Sequence, residues 1–117
     1  MPESAIRARI AVIDAHVGAL HSAQSITAPI ADAGRRLAAG AAGTQAQVRA
    51  VIGGTTSSAE AQMIQRLSNA QTNGTRFAAR VTAAQTEIAA ALARLARERD
   101  HLMQELRRLE AERASRR

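Results

Sequence analysis

Three histidines, His16, His21 and His101, are the imidazoles this chain has for proton transfer or metal ligation. His16 and His21 lie five residues apart, a spacing that puts them on different faces of a helix. His101 stands beside Asp100 in a charged run. The carboxylates Asp14, Asp32, Glu60 and Glu87 are spread along the chain, so no two are placed for paired acid–base work. The sequence has no dinucleotide glycine fingerprint, no phosphate-loop Gly-Lys pair and no His-Glu-x-x-His. Gly40-Ala41-Ala42-Gly43 and Gly53-Gly54 lack a following basic residue and a flanking strand, and read as helix ends and a turn. Cysteine is absent, which excludes disulfides, zinc–thiolate sites, iron–sulfur clusters and cysteine nucleophiles. The expectation is a protein that is not an enzyme and carries no cofactor and no metal.

Charge is the next candidate for chemistry. All 16 basic residues are arginine, against 10 acidic residues, for a net charge of +6. Half of the arginines fall between Arg94 and Arg117, with five carboxylates among them. Arg107, Arg108, Arg113, Arg116 and Arg117 are the candidate contacts for phosphate or an acidic partner, since a net positive surface attracts phosphate at low salt. Against that, Arg94–Glu98, Glu105–Arg108, Glu110–Arg113 and Glu112–Arg116 sit three or four residues apart, where charges on one helix satisfy each other. Phe77 is the sole aromatic, so stacking on bases has no platform. A protein partner is therefore favoured, and nucleic acid is the alternative.

The elements that must carry these groups are helices. The chain of 117 residues is 46% hydrophobic and 1% aromatic, and 29 of its residues are alanine. Such a composition disfavours a sandwich or barrel and suits long, closely packed helices. Pro2 fits a helix start, and Ile6, Ile10, Ile13, Val17 and Leu20 draw one helical stripe. The large apolar residues then shift: Ile26, Ile30, Ala33 and Leu37 form a second register, and Pro29 beside the shift predicts a kink or a restart near 27–29. Val48, Val51 and Ile52 resume an apolar face after Gly40 and Gly43, where the helix is expected to fray. At Gly53-Gly54 the first helix ends, and Ser57 with Glu60 three residues later forms a capping box that opens the second.

The second helix carries Leu67, Ala70, Gly74, Phe77, Val81, Ala84 and Ile88 at alternating spacings of three and four, a coiled-coil repeat. Asn73-Gly74 interrupts it, and because Gly74 lies on the stripe it reads as a place where backbones approach closely. The pattern continues through Leu92, Leu95, Arg99, Leu102, Leu106 and Leu109. The predicted fold is all-α: one antiparallel two-helix hairpin over residues 1–117, with helix one at 2–52, a turn at 53–57 and helix two at 58–113. The last eight residues of helix two are expected to overrun helix one. A hairpin so poor in large residues needs more cover, so it is expected to dimerise into a four-helix bundle. Ile88, Leu92, Leu95, Leu102, Leu106 and Leu109 are the candidate interface for a homodimer or for a heterodimer with another helical protein.

No run approaches the length of a membrane span, and Met1-Pro2-Glu3-Ser4-Ala5-Ile6-Arg7 lacks the basic-then-apolar order of a secretory signal. A cytoplasmic location is expected, with export by a signal-peptide-independent route left open.

A helical hairpin of this size, with Ala50-Val51-Ile52-Gly53-Gly54-Thr55-Thr56-Ser57-Ser58 at its middle and Leu67-Ser68-Asn69-Ala70-Gln71 through Phe77-Ala78-Ala79 to Ile88 and Leu92 downstream, resembles the small WXG-type proteins of bacterial type VII secretion. It is equally similar to the related N-terminal regions of polymorphic toxins. The likeness covers about residues 3–95. The chain has no tryptophan and no tyrosine, so the family's tryptophan and its Tyr-x-x-x-Asp/Glu export signal have no counterpart. The resemblance implies a non-enzymatic hairpin that binds a partner, itself or a secretion or toxin protein, usually as a dimer.

Overall fold

The computed structural model describes residues 2–52 and 57–116. They form two helices, α1 (Glu3–Ile52) and α2 (Ser58–Ser115), and no strand occurs among the described residues. The Pro2 carbonyl accepts the first helical bonds, from the amides of Ala5 and Ile6 at 3.1 Å. Ser57 and Glu60 form the reciprocal cap: the Ser57 amide donates to Glu60 Oε2 at 2.9 Å, and the Glu60 amide donates to Ser57 Oγ at 3.3 Å. Residues 53–56, where the sequence places the Gly53-Gly54 turn, lie outside the described residues. α1 does not restart at 27–29 and does not break at Gly40 or Gly43; it is one helix with Pro29 inside it.

The helices pack antiparallel, and their contacts fall into two compact units. The first unit pairs α1 up to Ser25 with α2 from Thr86 onward. Its core is Ile6, Ile10 and Ile13 against Leu102 and Leu106, with Val17, Leu95, Met103 and Leu109 packed beside them. Ion pairs cross the same seam. Arg113 reaches Glu3 at 3.1 Å, Arg7 reaches Glu110 at 3.0 Å, and Arg9 grips Glu98 at 2.8 and 3.1 Å. Arg113 therefore lies against the first turn of α1, and the expected overrun of helix two does not begin before it.

The second unit pairs Ile26–Gln85 within itself, and its seam is of a different kind. The buried positions are Ala31, Gly34, Ala38 and Ala41 on α1 and Gly74 and Ala78 on α2. A Cβ built on Gly74 would lie 2.8 Å from the Gly34 carbonyl oxygen and 3.0 Å from the Ala38 amide nitrogen. Glycine is required where two backbones approach this closely.

The inward positions follow a strict seven-residue repeat in both units. On α1 they are 6, 10, 13, 17 and 20 in the first unit and 27, 31, 34, 38, 41, 45, 48 and 52 in the second. On α2 they are 60, 64, 67, 71, 74, 78, 81 and 85 in the second unit, and 88, 92, 95, 99, 102, 106 and 109 in the first. Two sequence expectations are corrected by this. The buried face of α1 does not slip; it keeps its repeat, filled by Thr27, Ala31, Gly34 and Ala38, while Ile26, Ile30 and Leu37 point outward. On α2 the seam buries Ala78 rather than Phe77, which is 48% exposed, while Ala70 and Ala84 stay half-buried beside Gln71 and Gln85. The reason is steric: backbones in contact at Gly34 and Gly74 leave no volume for a branched or aromatic side chain between them.

Gly74→Ala should therefore lower the melting temperature by a few degrees. Overpacking against backbone costs about 1–3 kcal/mol, more than the gain in helix propensity of about 1 kcal/mol. Gly40→Ala and Gly43→Ala, where an added Cβ meets nothing within 4 Å, should instead stabilise by roughly 0.5–1 kcal/mol each. Thermal melts followed by circular dichroism decide this, and a Gly74→Ala chain that melts higher than the parent contradicts the close approach.

Candidate functional site

Ile88, Leu92, Leu95, Leu102, Leu106 and Leu109 all occupy inward positions of the first unit. Leu102 and Leu106 are 8% and 9% exposed, because the stripe closes onto Ile6, Ile10 and Ile13 of the same chain. Arg99 interrupts the stripe, and its guanidinium leaves the seam to bind Asp14 on α1 at 2.7 Å and 3.4 Å. Asp14 drew attention in the sequence only as an isolated carboxylate; its position two turns after Arg7 on the same edge was the available signal.

Most candidate arginines of the C-terminal segment are occupied. Arg108 is held by Glu105 and by Glu112, the latter at 2.7 Å, and Arg113 by Glu3. Arg107 and the side chain of Arg116 make no ion pair among the described residues, and Arg117 lies outside them. Of the four predicted pairs within α2, Glu105–Arg108 forms. Glu98, Glu110 and Arg113 turn instead to partners on α1, because positions flanking an antiparallel seam face each other more directly than they face their own helix.

The carboxylates feel these arginines. The hydrogen bond from Arg99 holds Asp14 below its ordinary range, Arg9 does the same to Glu98, and Arg108 to Glu105. No group of three or more His, Asp or Glu residues that could hold a metal exists among the described residues. His21 Nδ1 lies 3.4 Å from Gln24 Oε1. No helix is long and apolar enough to cross a membrane.

The feature with no intramolecular role is on the second unit. Ile26, Ile30, Leu37, Val51, Met63 and Phe77 are 59%, 38%, 59%, 88%, 46% and 48% exposed, and among the described residues of the first unit Val12 is the one exposed large apolar residue. Full burial of an exposed side chain of this size contributes about 1.5–3 kcal/mol, and these, already partly covered, would contribute about half of that each. Leu37 and Phe77 line one hollow together with Asn73, Gly74 and Arg80. Val51 and Met63 line another with Gln47, Val48, Ile52 and Glu60. The Phe77 ring lies across the glycine crossing, with its Cδ1 3.1 Å from where a Gly34 Cβ would stand. The unit holds six arginines and two carboxylates, net +4. Asp32 is paired with Arg35, and Arg36, Arg49, Arg66, Arg76 and Arg80 make no ion pair among the described residues.

In comparisons with protein-family models, curated proteins and solved structures, nothing matches this chain.

Asp14, Glu98 and Glu105 are easier to ionise in the fold than unfolded, so their pairs stabilise at neutral pH. That contribution is lost as acid passes down through their folded pKa values. The melting temperature should hold near neutral pH and fall modestly as these carboxylates are protonated in acid, since exposed pairs contribute little each. Asp14→Asn should melt lower at pH 7 and lose less on acidification. Equal pH dependence in the two chains would show that the Arg99–Asp14 pair contributes nothing.

Proposed function

We propose that this chain is a non-enzymatic protein-interaction module, a WXG-like helical hairpin that pairs with a helical partner, of the kind found in type VII secretion and at the front of polymorphic toxins. The observation that carries the reading is the second unit. Its buried positions among the described residues are all alanine or glycine, and six of its large apolar side chains, Ile26, Ile30, Leu37, Val51, Met63 and Phe77, are exposed. A helix pair that buries its small residues and presents its large ones is arranged for a third helix, since tertiary packing rather than propensity stabilises a helix in water.

A nucleic-acid role for the C-terminal arginines has less support, because Arg108 and Arg113 are already bound to carboxylates. Light scattering after size exclusion tests the main reading, on the chain alone and mixed with helical proteins encoded beside it. A complex with the mass of a dimer is expected in one of these samples, and a monomer in all of them contradicts it. A duplex DNA titration at low salt should show weak binding without the steep salt slope of phosphate contacts; strong binding that collapses with salt would favour the alternative.

A further inference from the structure

α1 carries two seams over the same three turns. The inner one, Thr27-Ala31-Gly34-Ala38, is used by α2. The outer one, Ile26-Ile30-Ala33-Leu37, has the same four-three-four spacing, holds larger side chains, and stays exposed among the described residues, with Leu37 bordering a hollow shared with α2. A 3.5-residue repeat of large aliphatic side chains is what a helix reads, knob into hole. A lipid surface needs apolar area but no such repeat. The outer seam is extended on α2 by Phe77, whose hollow also contains Asn73 and Arg80. Polar groups in that position are satisfied by a side chain and left unpaired by an acyl chain.

Charge narrows the partner further. Arg66 and Arg80 lie on α2 on the Met63–Phe77 side of the seam, spaced by two heptads, and neither is paired among the described residues. A second copy would bring the same net +4 to the contact, and like charges across an interface disfavour that pairing.

Resting on the partner-binding reading above, we infer that the exposed apolar side chains Ile26, Ile30, Leu37, Met63 and Phe77 form the docking face, and that its occupant is an amphipathic helix from another chain, apolar on one stripe and acidic along its edge. Leu37 and Phe77 anchor the apolar stripe, and Arg66 and Arg80 select the acidic edge. The leucines of the first unit, from Ile88 to Leu109, then hold the hairpin together rather than recruit the partner.

The test uses the full chain and two synthetic helical peptides of three heptads, with leucine on one stripe and either glutamate or lysine beside it, titrated by fluorescence anisotropy. The glutamate peptide should bind at least tenfold more tightly than the lysine peptide, and salt should weaken it. Leu37→Glu should cut its affinity at least tenfold, with the circular dichroism and melting temperature of the hairpin kept, because Leu37 is exposed. Arg80→Glu should reverse the preference between the peptides, and Val12→Glu on the first unit should change nothing.

Equal binding of both peptides, no binding of either, or an unaffected Leu37→Glu chain overturns the assignment. So does a stable homodimer that Leu37→Glu dissociates, which would make a second copy the occupant. Binding to vesicles of anionic phospholipid that Leu37→Glu abolishes would make it a membrane. A chain that still forms complexes of dimer mass with Leu37→Glu in place keeps the partner-binding function and loses this face.

Discussion

Two peptide backbones meet at Gly34 and Gly74, and that contact decides what the second unit can be. With 2.8 Å between a carbonyl oxygen and the place where a Cβ would stand, the buried positions around the crossing hold only alanine and glycine. The isoleucines, leucine and phenylalanine of that region are therefore expelled from the seam. The first unit has no such contact, and its seam fills with isoleucine and leucine in the ordinary way. One repeat, carried by two kinds of residue, gives a unit buried on isoleucine and leucine and a unit whose buried positions are alanine and glycine, with large apolar side chains left on its exterior.

The division of charge follows the same logic. In the first unit, ten arginines meet eight carboxylates, and the pairs that form lie along the edges of the seam: Arg7–Glu110, Arg9–Glu98 and Asp14–Arg99. These exposed pairs add little stability singly, but they fix the register, since a shift by one residue would part all of them. In the second unit the arginines outnumber their acids, and apart from Arg35 they make no ion pair among the described residues. Unspent apolar surface and unspent positive charge coincide there, which is why the proposed partner is both amphipathic and acidic.

How much of this could be read from the sequence depended on side-chain size. The two helices, their boundaries and the Ser57–Glu60 cap were legible, because capping and breaking are local chemistry. The first seam was legible because Ile6, Ile10, Ile13, Leu102 and Leu106 stand out from polar neighbours at a clean spacing. The second was misread by one residue on α2, at Phe77 against Ala78. Periodicity arguments assume that the largest side chains lie inside, and in a chain a quarter alanine the small residues that do lie inside carry no contrast. Gly74 held the missing signal. A glycine on a helical stripe marks close approach, and close approach implies that Gly34, Ala31 and Ala38 form its counterpart. Pairs across the seam were also invisible without the fold, because Arg9 and Glu98 are neighbours only in the hairpin.

The most direct measurement of this inside-out seam is the accessibility of individual methyl groups, read by NMR from their relaxation by a soluble paramagnetic agent in the unpartnered chain. The account predicts that the methyls of Leu37, Ile26 and Val51 are strongly relaxed while those of Ala31, Ala38 and Ala78 are protected. Protected Leu37 and Ile26 methyls beside exposed Ala38 and Ala78 would contradict it.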